Sequence, residues 1–164
     1  MADELDHDLA KGVVYESPRV RPGSQSAFVA LLRRAIDAGD ELTLADGLER
    51  GGHMRFTELR HRQGRSYEAR VPRDAAYMLA EGEFGRYYAR GVCLLAMGAG
   101  QTTVEVYRAR VVSSPRPESE RRIGERLDPQ ALLRDLRIHV GADSALGVPA
   151  GPNSGLSVRL CNPR

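Results

Sequence analysis

The sequence predicts an α+β fold: a small, mainly antiparallel sheet with two or three helices on one face, and extended N- and C-terminal arms. Three observations carry this. Apolar residues recur at helical spacing in Phe28, Leu31, Leu32, Ala35 and Ile36, and again in Leu132, Leu133 and Leu136. The segment TTVEVYRARVV alternates β-branched with polar residues, and HMRFTELRHR and SYEARVP flank Gln63-Gly64-Arg65 as two strands flank a tight turn. A chain of 164 residues suffices for one domain, which we place at 24–140 between an N-terminal arm over 1–23 and a Gly- and Pro-rich tail over 141–164.

The arm begins with acids and then carries Pro18, Pro22 and Gly23, with Val13, Val14 and Tyr15 as its apolar cluster. The first helix starts near Ser24 or Ser26, either of which can cap it, and ends at Gly39. Residues 40–52 are ambiguous between a short strand with a turn and one poor helical turn. In the second hairpin strand Tyr67, Ala69 and Val71 alternate with Ser66, Glu68 and Arg70, so one buried and one charged face are expected. Asp74 can cap a helical stretch that Gly82 and Gly85 weaken, before a stronger stretch bearing Phe84, Tyr88, Val92 and Leu95 ends at Gly98 and Gly100. The strand at 102–112 should sit centrally in the sheet. A Pro- and charge-rich connector, including the run ESERR at 118–122, then leads to Asp128-Pro129, an N-cap followed by proline at the first helical position. In the tail, Leu156, Val158 and Leu160 can form one short strand.

Lys11 is the sole lysine among 24 basic residues, so arginine supplies nearly all the positive charge. Codon preference of a GC-rich genome explains much of this, but guanidinium forks also suit carboxylate, phosphate and aromatic faces. A net charge of +2 gives little long-range pull on a polyanion, and nucleic-acid binding would need a local patch. One lysine near the terminus nearly excludes Schiff-base and phosphate-loop chemistry. Four histidines lack metal-ligand spacing, and neither a Ser-His-Asp elbow nor a GxGxxG motif is present. Cys93 and Cys161 are too few for a disulfide framework, the N-terminus lacks a signal-peptide pattern, and no apolar run could span a bilayer. The expectation is a cytoplasmic protein with no membrane partner.

Two groups of residues could carry chemistry. In the hairpin, Glu58 and the triplet Glu68-Ala69-Arg70 stand where strands could bring carboxylates together on Mg²⁺ with a cation alongside. With the order helix, short strand, hairpin, helix, strand over 24–112, this arrangement resembles the core of metal-dependent nucleases of the PD-(D/E)xK kind. That resemblance implies Glu58, Glu68 and Arg70 as catalytic residues, although Glu58 replaces the usual aspartate and Arg70 the usual lysine. The same residues also read as cross-strand partners on a solvated hairpin.

The second group is Arg86, Tyr87, Tyr88 and Arg90 on the helix with Tyr107, Arg108 and Arg110 on the strand. Sharing one groove, Arg86, Tyr87, Arg90, Arg108 and Arg110 could grip phosphates and stack on bases; otherwise they are core tyrosines with snorkelling arginines. The leading expectation is a non-enzymatic binding or assembly protein, without cofactor, such as a subunit of a phage-like or other multi-chain particle. It would contact protein or nucleic acid through these Arg/Tyr surfaces and other protein chains, including copies of itself, through the terminal arms, the tail adding a strand to a partner's sheet. The metal-dependent nuclease is the alternative.

Overall fold

The computed structural model describes residues 1–111, 117–140 and 155–161. Its elements, in chain order, are α1 (Ala2–Lys11), α2 (Gln25–Ala38), α3 (Glu41–Arg50), β1 (Thr57–Arg62), β2 (Arg65–Arg70), α4 (Ala75–Gly98), β3 (Val104–Arg108), α5 (Pro117–Arg122), β4 (Arg126–Leu127), α6 (Pro129–Ile138) and β5 (Leu156–Leu160). The fold is α+β, as expected. It has more helices than the two or three foreseen, and its strands form two separate antiparallel sheets, β1-β2 and β4-β3-β5. The chain divides into two compact units, one of residues 1–14 and 82–164 and the other of residues 15–81. Among the described residues, no helix is long and apolar enough to cross a membrane.

In the first unit β3 is the central strand, flanked by β4 and β5. The register Val106↔Val158 puts β-branched residues side by side in the middle of the sheet. Val104, Val106 and Val158 are fully buried and share one core with Ala89, Cys93 and Ala96 of α4 and with Leu132 and Leu136 of α6. The helix α6 begins where expected, the Asp128 carboxylate accepting the Gln130 backbone N–H at 2.8 Å. The tail strand pairs with β3 of its own chain over Leu156–Leu160. Its alternating apolar residues complete this sheet, where the sequence suggested a partner's. The rest of the tail, 141–154 and 162–164, and connector residues 112–116 lie outside the described residues. The ESERR run forms α5, with Ser119 buried.

The expected N-terminal arm is a helix. Glu4, Leu5 and Asp8 share one face of α1 and are all buried, so two of its four acids pack inward while Asp3 and Asp6 stay exposed. The glycines of α4 do not break it. Each costs about 1 kcal/mol relative to alanine, yet α4 runs unbroken from Ala75, with Ala80, Ala89, Cys93 and Ala96 fully buried. Gly91 has a packing reason: a Cβ there would lie 2.9 Å from the Met1 nitrogen.

In the second unit α2 packs on α3, burying Phe28, Leu32 and Ala35 of the one and Leu44, Ala45 and Leu48 of the other. The ambiguous 40–52 segment is helical because Asp40 accepts from the Thr43 N–H at 2.8 Å and Thr43 reciprocates toward the Asp40 N–H. The hairpin forms as expected. Gln63 and Gly64 have φ of 50° and 75°, the paired positive angles of a two-residue turn whose twist matches the strands.

Candidate functional site

Arg86, Tyr87 and Arg90 do not line a surface groove. Arg90 is 0% exposed and Tyr87 1%. The Arg90 fork donates to Glu4 Oε2 at 2.7 Å and to the two Asp8 carboxylate oxygens at 2.6 and 2.8 Å, while its guanidinium stacks 5.0 Å from the Tyr87 ring centre. Tyr87 donates its hydroxyl to Asp8 at 2.9 Å, and Arg137 of α6 donates to Glu4 at 2.5 and 3.0 Å. Both carboxylates are therefore saturated by donors from α4 and α6.

The electrostatics follow from that saturation. Burial alone would raise the Glu4 carboxyl, but the hydrogen bonds from Arg137 and Arg90 outweigh it and hold the group below its ordinary value. Burial likewise opposes ionisation of Asp8, and the bonds from Arg90 and His7 overcome it. Glu83 behaves oppositely: burial keeps its carboxyl above the ordinary value despite Arg86, whose guanidinium lies 3.0 Å away. Burial also raises the Tyr87 hydroxyl and pushes the Cys93 thiol up to about 12, which leaves it a poor nucleophile at neutral pH. This cluster ties α1 to α4 and α6.

Of the strand residues named with it, Arg108 pairs with Glu120 at 2.5 Å. Arg110 lies near Gly85, a terminal nitrogen 3.9 Å from where a Cβ would stand. Tyr107 faces Arg159, whose guanidinium is 5.5 Å from the ring centre, and Arg159 pairs with Glu105. Carboxylates thus occupy the guanidiniums of Arg86, Arg90, Arg108, Arg137 and Arg159.

The hairpin differs. Opposed residues of an antiparallel pair share a face, and neighbours along a strand alternate. The register Glu58↔Ala69 and Leu59↔Glu68 therefore puts Glu58 and Glu68 on opposite faces of the ribbon. The carboxylates expected to converge on Mg²⁺ diverge, and Arg70, opposite Thr57, shares a face with Glu68. Glu58 is taken by Arg19 at 2.7 Å and by Arg60 at 2.7 Å, whose hydrogen bonds hold its carboxyl below the usual range. Glu68 accepts the Thr57 hydroxyl at 2.6 Å. Among the described residues, no group of three or more His, Cys, Asp or Glu is placed to hold a metal ion.

Neither hairpin face is buried: every residue of β1 and β2 is exposed except the half-buried Glu58 and Ala69, correcting the expected buried face. Residues 55–73 contain six arginines against two glutamates. Arg62, Arg65, Arg70 and Arg73 are exposed, and among the described residues their guanidiniums make no ion pair or hydrogen bond. At the base of the ribbon lies an open cleft of about 1070 Å³, lined among others by Arg55, Arg60, Arg70, Arg73, Phe56 and a single carboxylate, Glu49. The Phe56 carbonyl accepts from Val71 N–H at 3.0 Å, fixing the backbone, while the residue is 84% exposed. Phe56, Arg62, Arg65 and Arg73 were not among the residues expected from the sequence, where the carboxylates stood out. The charge imbalance of the segment was the available signal. Comparison with protein-family models, curated proteins and solved structures finds no match to this chain.

Proposed function

We propose that this chain is a non-enzymatic nucleic-acid-binding protein whose contact surface is the β1-β2 ribbon and the cleft at its base. One observation carries the reading: four exposed guanidiniums, those of Arg62, Arg65, Arg70 and Arg73, stand without carboxylate partners among the described residues, on and beside one short ribbon. Other exposed arginines, Arg34, Arg121, Arg126 and Arg134, are spread over α2, α5, β4 and α6, and Arg90, Arg108 and Arg159 are held by acids. Guanidinium forks left open at a solvated surface suit phosphate oxygens. The binding role expected from the sequence is kept, and its surface moves from α4 and β3 to the hairpin.

Four phosphate contacts give a slope of log affinity against log salt of about −3 to −4. Fluorescence anisotropy with labelled oligonucleotides between 50 and 200 mM salt measures it. Affinity should fall by about 50-fold or more over that range, and the double variant Arg62→Gln/Arg65→Gln should flatten the slope by about 1.5. Binding that is absent, insensitive to salt, or unchanged in the double variant overturns the proposal.

A further inference from the structure

Resting on the nucleic-acid reading above, we infer that the preferred ligand is a single strand, with Phe56 as the platform on which an unstacked base lies. The inference concerns which nucleic acid is bound, and its observations are aromatic rather than cationic. In the ladder, the rows Glu58↔Ala69, Arg60↔Tyr67 and Arg62↔Arg65 occupy one face of the ribbon. Phe56 stands at the bend just before β1, held to Val71 by one backbone hydrogen bond, and lines the cleft together with Arg60. The ribbon face carries Tyr67, 45% exposed, beside Arg62, Arg65 and the Glu58-paired Arg60, and Phe56, 84% exposed, stands at its base.

Duplex and single strand ask for different surfaces. A duplex presents phosphates outside and keeps its base faces stacked within, so a ring at its surface meets only groove edges. A single strand exposes base faces, which aromatic side chains cover whatever the sequence, while a basic groove follows the backbone. The cleft is open to solvent at the ribbon's base, so it can admit part of a longer chain as well as a free nucleotide. Phe56 shows no packing role that would otherwise explain a phenylalanine at that position, being largely solvent-exposed where Phe28 is fully buried.

The experiment compares a labelled single-stranded 20-mer, in DNA and RNA versions, with the same sequence as a duplex, using the full chain and the variants Phe56→Ala and Phe56→Tyr. The single strand should bind at least tenfold more tightly than the duplex. Phe56→Ala should weaken single-strand binding by about tenfold, leave duplex binding within twofold and leave the salt slope unchanged, while Phe56→Tyr, which keeps a stacking face, should restore it. Circular dichroism of Phe56→Ala checks that an exposed substitution has left the fold intact. Equal or tighter binding of the duplex, or equal losses on both ligands, overturns the single-strand inference while the nucleic-acid reading stands. Absence of binding to every oligonucleotide overturns both.

Discussion

Replacing Arg90 by leucine tests what the buried cluster does. Arg90 is fully buried and satisfies Asp8 through two donors, Glu4 through a third and the Glu4 carbonyl, at 3.3 Å, through a fourth. Leucine fills part of the volume but leaves Asp8 with only Tyr87 and His7, whereas Glu4 keeps Arg137. Removing one partner of a buried ion pair costs about 3–5 kcal/mol, because the other charge is stranded. With Glu4 still paired, about 3 kcal/mol is the appropriate figure here, or a fall in melting temperature of about 6–12 °C for a chain this size. Thermal unfolding followed by far-ultraviolet circular dichroism measures it, and amide exchange at α1 should speed up first. Adding Asp8→Leu to the Arg90→Leu chain removes the stranded charge and should recover much of the loss, since a buried pair replaced by apolar groups is often neutral. A loss below about 1 kcal/mol, or a further loss on adding Asp8→Leu, would refute the stranded-charge account.

The remaining structural predictions concern acid, the tail and a cap. Glu4 and Asp8 titrate below their ordinary values of 4.5 and 3.8, so their pairing contributes stability that is complete above those values and is lost as pH falls through the depressed folded ones; the urea midpoint should drop in that acid range, and less steeply in Arg90→Leu. Val158 is fully buried beside Val106 in the paired sheet, so Val158→Ala should cost about 2 kcal/mol by urea unfolding; an unchanged midpoint would mean that β5 does not stay on β3 in solution. Asp128→Ala removes the acceptor for the Gln130 N–H and should cost about 1 kcal/mol by the same measurement.

What could be read from the sequence was local. The cap at Asp128-Pro129, the β-branched alternation at 104–108 and the Gln63-Gly64 turn each act within a few residues, and all three form as expected. What could not be read depends on distant partners. The acids of α1 look like a solvated arm until Arg90, 86 positions from Glu4 and 82 from Asp8, is found on their buried face. The same long-range pairing removed Arg86 and Arg90 from any ligand surface, because a neighbouring carboxylate can neutralise an arginine that the linear sequence shows only as charged. The helix across Gly82 and Gly85 persisted because the burial along α4 outweighs a local propensity cost of about 1 kcal/mol per glycine. In the hairpin, strand alternation alone was known, and the register that separates Glu58 from Glu68 came only from pairing.

Glu58 provides the sharpest separation of the two readings of that hairpin. As a catalytic carboxylate it would be indispensable, and Glu58→Gln would abolish metal-dependent cleavage of a nucleic acid. As the structure has it, Glu58 pairs with Arg19 and Arg60 at 2.7 Å each, on a ribbon that otherwise carries open guanidiniums. Neutralising it therefore releases two more cations beside Arg62 and Arg65. Arg19 and Arg60 remain partly solvated, at 33% and 42% of side-chain exposure, so losing these pairs changes stability little. The binding reading then predicts the unusual outcome that Glu58→Gln tightens oligonucleotide binding at 50 mM salt and steepens the salt slope by up to about 1.5, as expected for two added phosphate contacts. Anisotropy titrations of the variant and the parent chain, with Mg²⁺ present and absent and products checked on a denaturing gel, measure affinity and cleavage together. Weaker binding by Glu58→Gln would refute the ribbon as a simple phosphate-binding surface, and cleavage by the parent chain that the variant loses would return Glu58 to a catalytic role.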